Sequence, residues 1–113
     1  MTDRVFIIAE AGVNHDGVLD DALAMIDVAA EAGADAVKFQ TFRAEAALTA
    51  RALKADYQVT NTGEGGTQLD MVRRLELKPR DHPALVERCR ARGIAFMSTA
   101  FDMDSLALVA GLG

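Results

Sequence analysis

Twice in 113 residues a helix-like segment meets a glycine and continues at once into a short apolar run: "EAGADAVKFQ" at 31–40 and "ARGIAFMSTA" at 91–100. A third segment, "VAGLG" at 109–113, reaches the same punctuation. A helix that stops at glycine and hands over directly to a branched, apolar strand returns the chain to the start of the next strand. Repetition of that unit defines a parallel α/β architecture with right-handed crossovers.

The remaining segments fit the repeat. Val5 to Ala9 is a continuous apolar run, the pattern of a strand buried on both faces, and Glu10 stands where it stops. "GVNHDG" breaks the run with turn chemistry at Asp16-Gly17. "LDDALAMIDVAAEAGAD" then places Leu19, Leu23, Ile26 and Ala30 at helical spacing, with Gly33 as the stop. In "AVKFQTF" Val37, Phe39 and Thr41 alternate with Lys38 and Gln40, which predicts a second strand with one polar face. Residues 43–66 are irregular and too long for a plain connection, so a functional loop is expected there. "TQLDMVRRLEL" resumes helical spacing through Leu69, Val72, Leu75 and Leu77. "HPALVERCRARG" predicts another helix, with Pro83 in its first turn and Gly93 at its end. "IAFMSTAF" is the third strand, and "DMDSLALVAGLG" a last helix with an aspartate at its start.

Charge narrows the functional classes. The formal net charge is −5, with 12 Lys and Arg scattered among 17 Asp and Glu, so no basic patch is available to neutralise a phosphate backbone. The longest apolar stretches fall far below the roughly 18 residues that span a bilayer. The first twelve residues, "MTDRVFIIAEAG", lack the basic leader and extended apolar segment of a signal peptide, which makes the cytoplasm the expected compartment. Cys89 is the single cysteine and reads as a helix position without chemistry.

In parallel α/β folds ligands collect outside the carboxyl ends of the strands. All three expected strands carry polar groups there: Glu10 on the first, Lys38 and Gln40 on the second, Ser98 and Thr99 on the third. Lys38 and Gln40 share a face because they are two residues apart on a strand. An ammonium near short hydroxyl donors suits a phosphate or carboxylate, so an anionic substrate is expected. Glu10 and Lys38 also supply each other's counter-charge, and a purely structural ion pair is the competing interpretation. His15, in "NHDG", belongs to a turn or substrate loop, since one His and one Asp are too few ligands for a metal. His82, just before Pro83, reads as a solvated helix start. "NTGEGGTQ" has the glycines of a phosphate cradle but not its Gly-Lys-Ser/Thr ending.

Four ordered motifs, "IIAEAGVNHDG", "AGADAVKFQTF", "KADYQVTNTGEGGTQLDMVRRLEL" and "IAFMSTAFD", together resemble the N-terminal part of the sialic acid synthase family, and the likeness covers nearly the whole chain. The resemblance implies a (β/α)8 TIM barrel. This chain would be its first three strand-helix units, ending before the fourth strand; residues 1–113 would be the N-terminal portion of a phosphoenolpyruvate-condensing domain. A C-terminal antifreeze-like domain would be absent. The family condenses phosphoenolpyruvate with an N-acylated amino sugar such as N-acetylmannosamine, giving a nine-carbon sialic acid and phosphate. It implies catalytic roles for Glu10 and Lys38. It also implies substrate contacts from Lys38, Thr99 and Ser98 at the phosphoenolpyruvate phosphate, and from Gln40, Tyr57 and Asn61 around the sugar. A divalent metal, Mn2+ or Mg2+, is implied with its ligands outside this chain, and so is a homodimer of the full-length protein. One departure is Ala100, where the family usually has proline.

Two other readings follow from the same residues. One is a different phosphoenolpyruvate-condensing barrel, a 3-deoxy-sugar acid synthase. The other is a non-catalytic binding module or partner subunit. By itself the 113-residue chain is expected to be inactive.

Overall fold

The structure, a computed structural model, describes residues 4–46 and 68–112. Three strands form one parallel sheet in the spatial order β1-β2-β3, where β1 is Ile8–Gly12, β2 is Ala36–Thr41 and β3 is Ala95–Ala100. Between β1 and β2 runs α1, Leu19–Glu31. Ahead of β3 come α2, Gln68–Leu75, a single 3-10 turn at Pro79–Asp81, and α3, His82–Arg92. After β3 comes α4, Met103–Ala110. Strands that neighbour in space in the same order as in sequence are the mark of a singly wound sheet. Helices α1 and α3 share one core on the same face of the sheet, as barrel helices do, whereas a doubly wound fold covers both faces.

The core lies between the sheet and the helices. Phe39, Val37, Ile26, Leu77, Leu85 and Cys89 are all buried there, with Ala11, Ala22 and Ala29 filling the gaps. Helix α1 presents Ala22, Ile26 and Ala29, spaced four and three residues apart, while Leu19 and Leu23 only flank the cluster. The buried stripe is therefore turned slightly from the one that leucines alone would mark: two alanines let the helix backbone approach the strands. Phe39 and Phe96 stack with ring centroids 5.9 Å apart, joining β2 to β3 on this side.

The first strand begins three residues later than its apolar run suggests. Val5, Phe6 and Ile7 are 73%, 60% and 52% exposed, and the ladder opens at Ile8 opposite Ala36. The reason is the length of the neighbour: β2 starts at Ala36, so Val5 and Phe6 have no strand beside them. The approach is instead held by Asp35, whose Oδ2 accepts from the Ile7 amide at 2.8 Å and whose own amide donates to the Ile7 carbonyl at 2.8 Å. Arg4 pairs with the same carboxylate. These bonds, the Ile7 amide first and the guanidinium second, hold the Asp35 carboxyl below its ordinary range. Burial of β1 on both faces does not hold either, because among the described residues it lies at the sheet edge with β2 alone beside it.

Two tethers fix the loops above the strand ends. Asp102 caps α4 by accepting the Ser105 amide at 2.7 Å, and its other oxygen accepts the Arg43 amide at 2.8 Å. One carboxylate thus ties the exit of β2 to the exit of β3. Gly17, at φ +78°, lies so close to the end of α2 that a Cβ would fall 1.8 Å from the Arg74 carbonyl oxygen. The "NHDG" loop therefore packs against the turn after α2, and only glycine fits there.

Candidate active site

The alternation along β2 puts Val37, Phe39 and Thr41 into the core and turns Lys38 and Gln40 to the opposite, open face. Register then adds the neighbours. Glu10 of β1 stands opposite Lys38, and Thr99 of β3 opposite Gln40. The Glu10 Oε1–Lys38 Nζ distance is 3.3 Å. Four polar side chains from three strands therefore share one face, near the carboxyl ends; they are four of the five that the sequence groups at the strand ends, and Ser98 is the fifth.

A bulge between Glu10 and Gly12 shapes this cluster. Gly12 adopts φ +58°, and a Cβ there would lie 3.4 Å from Glu10 Oε2 and 3.7 Å from Gln40 Nε2. It is the left-handed backbone at the bulge that favours glycine, since a Cβ would make only ordinary contacts with the carboxylate and the amide that converge there. Sequence reasoning passed over Gly12; its signal was a glycine at the last position of a strand, two residues beyond an acid.

The Glu10–Lys38 pair is not buried. The side chains keep 52% and 36% of their exposure, so the desolvation cost expected of a dry strand end is not incurred. An exposed pair of this kind contributes about 0–1 kcal/mol to stability. Stability is thus a weak reason for placing two opposite charges here, and a ligand is a better one.

Ser98 departs from expectation. Its register partner is Phe39, and its hydroxyl lies 2.6 Å from Thr41 Oγ1 on the helix-facing side of the sheet. It is not beside Lys38, because in a strand consecutive residues face opposite ways and Thr99 takes the open face. His82 departs as well. It is fully buried, with Nε2 3.0 Å from Thr41 Oγ1 and Nδ1 2.8 Å from the Lys78 carbonyl oxygen. The proline after it suggests an exposed helix start, but the 3-10 turn folds its ring inward, edge-on to Phe96 at 6.5 Å.

His15 is buried beneath the loop that follows β1, and its Nδ1 accepts the Gly17 amide at 2.8 Å. Burial lowers its pKa below 6.5, against the smaller opposing influence of the Asp16 carboxylate, the Gly12 backbone and Asp21. It acts as a turn element, in line with its sequence context. Cys89 is buried and its thiol is pushed up to about 11 by burial, so it has no nucleophilic character at neutral pH. Ala100, at the usual proline position, closes β3 opposite Thr41, and the next amide, Phe101, donates to the Thr41 carbonyl at 3.1 Å. Tyr57 and Asn61 lie outside the described residues. Among the described residues no three His, Cys, Asp or Glu side chains gather into a group able to hold a metal. No helix among them is long and apolar enough to cross a membrane.

A parallel sheet with its helices packed on one face and a charged cluster at its carboxyl edge is the arrangement of successive units of an α/β barrel, in which that edge receives ligands. Comparison with known proteins carries the assignment further. The NeuB family model matches residues 25–113, and the chain belongs to that family. It is 49% identical over 108 residues to an N,N'-diacetyllegionaminic acid synthase of Legionella pneumophila, covering 96% of this chain and 30% of that protein. A second N,N'-diacetyllegionaminic acid synthase, from Campylobacter jejuni, is 46% identical over 97% of this chain and 33% of its own length. Among solved structures, an N-acetylneuraminic acid (sialic acid) synthetase from Leptospira borgpetersenii in complex with citrate matches with a TM-score of 0.76 and 36% identity, over 98% of this chain and 34% of that one. The sialic acid synthase resemblance read from the four motifs therefore holds, and the chain spans about a third of the length of these proteins.

Proposed function

We propose that this chain is the N-terminal segment of a synthase that condenses phosphoenolpyruvate with an N-acylated amino sugar to give a nine-carbon sugar acid and phosphate. The observation that carries this reading is the convergence of Glu10, Lys38, Gln40 and Thr99 on one open face, with the two charges 3.3 Å apart and little stability to gain from pairing. The family membership supports it. Lys38 and Thr99 would hold the phosphate, as a cation and a hydroxyl donor satisfy anionic oxygens together. Gln40 would read the acceptor's hydroxyl or amide groups, and Glu10 would engage the acceptor at the reacting end. The bond formed joins the enol carbon of phosphoenolpyruvate to the open-chain aldehyde carbon, whose oxygen becomes a hydroxyl. Water then adds at the phosphate-bearing carbon and phosphate leaves, so holding both substrates in register is the main task of these strands.

The acceptor is best read as an N-acylated amino sugar of the legionaminic type. The relatives at 49% and 46% identity are named for a diacetylated product, whereas a human N-acetylneuraminate-9-phosphate synthase is 39% identical. N-acetylmannosamine is the second candidate. We further place the full-length protein in the cytoplasm as a homodimer, where phosphoenolpyruvate is made. The test supplies the full-length synthase with phosphoenolpyruvate and each acceptor, following phosphate release and product mass. Phosphate release that depends on an N-acylated sugar, with a product heavier by the pyruvyl unit, is expected. Condensation only with a sugar lacking an N-acyl group would point to a 3-deoxy-sugar acid synthase, and binding without turnover would favour a non-catalytic module.

A further inference from the structure

Behind the open face runs a hydrogen-bonded chain that has a single direction when the His82 ring is neutral. The Lys78 carbonyl can only accept, so at 2.8 Å His82 Nδ1 carries the proton and donates to it. In the neutral ring Nε2 is then an acceptor, and Thr41 Oγ1 at 3.0 Å donates to it. That bond uses the single hydroxyl proton of Thr41, so Ser98 Oγ at 2.6 Å donates to Thr41. His82 and Thr41 are 0% and 2% exposed, which makes each link costly to leave unmade. The chain fastens β2 and β3 to the turn before α3. Its two strand members are chain neighbours of the open-face pair: Thr41 follows Gln40, and Ser98 precedes Thr99.

We propose that His82, Thr41 and Ser98 are positioning residues for the proposed condensation. They fix the carboxyl ends of β2 and β3 so that Gln40 and Thr99 stand in register for the substrate. Ser98 acts through Thr41 and does not touch the phosphate. The inference rests on the functional reading above. Strand ends that carry substrate contacts need this fixing, because a displacement of about 1 Å in a positioned group costs up to about a hundredfold in rate.

The test uses the full-length synthase and the variants Thr41→Val, Ser98→Ala and Thr99→Ala, each alone and as the Thr41→Val/Thr99→Ala pair. Thr41→Val is expected to lower kcat/KM for phosphoenolpyruvate about tenfold to a hundredfold, measured well below its melting temperature. The pair should fall no further than Thr99→Ala alone, since both changes disable the same contact. Ser98→Ala, which leaves the Thr41–His82 link intact, should lose less than Thr41→Val. Nitrogen-15 spectra of histidine-labelled enzyme, with His82→Gln as the assignment control, should show the His82 proton on Nδ1. Should Thr41→Val fail to fold, Thr41→Ser, which keeps the hydroxyl, must restore folding and activity, and Ser98→Ala with the tautomer spectrum decide the matter. The proposal is overturned by an Nε2–H ring, by additive losses in the pair, or by Ser98→Ala raising KM for phosphoenolpyruvate while Thr41→Val leaves kcat/KM unchanged. Unchanged Thr41→Val kinetics beside a raised KM in Lys38→Met would defeat this inference alone; unchanged Lys38→Met kinetics would defeat the functional reading itself.

Discussion

The two faces of β2 do opposite work with residues that alternate one by one. Toward the helices, Val37, Phe39 and Thr41 are buried, and the hydroxyl of Thr41 is bonded on both sides. Away from them, Lys38 and Gln40 remain partly exposed, with polar neighbours supplied across the register by Glu10 and Thr99. A buried polar group must be satisfied within the protein, whereas an open one is available to a ligand. The closed face therefore carries stability, and the open face is left available for the recognition proposed above. Substitutions of the apolar closed-face residues should show as loss of folding stability and those on the open face as loss of turnover, with Thr41, which adjoins Gln40, the one closed-face position expected to show in turnover as well.

The largest effect is expected on the closed face. Phe39 is fully buried and stacks on Phe96, so Phe39→Ala should cost about 3–5 kcal/mol of stability, read as a lowered denaturant midpoint. A midpoint within error of the parent would mean that Phe39 does not anchor the closed side.

A second closed-side test uses pH. His15 is buried with its pKa below 6.5, so the folded protein takes up a proton less readily there than the unfolded chain. Above the ordinary histidine range its contribution to stability is constant. As pH falls below about 6.5 the unfolded state binds the proton first, and stability declines until the folded pKa is passed. Melting temperatures between pH 8 and 5 should therefore fall less steeply in His15→Gln than in the parent; an identical slope would remove His15 from the closed, structural side.

On the open face the stability effect should be smallest and the catalytic one plain. Glu10→Gln is expected to change stability by less than about 1 kcal/mol, as for an exposed ion pair, while turnover of the full-length enzyme is lost. A strongly destabilised variant with normal turnover would return Glu10 to a purely structural role.

How much of this was legible in the sequence depended on whether period and burial agreed. For β2 they did: the strict alternation of Val37, Phe39 and Thr41 with Lys38 and Gln40 gave strand, faces and candidate residues together. The helix ends at Gly33 and Gly93 and the Asp102 cap were legible for the same local reason. Val5 to Ile7 misled because hydrophobicity marks a strand's composition but not where its partner begins. "FMSTAF" misled because two adjacent hydroxyls suggest a shared site, although adjacent strand residues point to opposite faces; the Ser98 side was fixed only by its register with Phe39. His82 was hidden because its partners, Thr41 and Lys78, lie on other segments. Gly12 carried only the faint mark of a glycine closing a strand.

In the proposed function the open face binds an anion through Lys38. The most direct measurement is the KM for phosphoenolpyruvate of full-length Lys38→Met beside its melting temperature. Loss of a charge-assisted contact is worth roughly 1.5–3 kcal/mol, which corresponds to about a tenfold to hundredfold weaker interaction. A KM raised in that range with the fold intact is expected. Unchanged phosphoenolpyruvate kinetics in a folded Lys38→Met enzyme would contradict it.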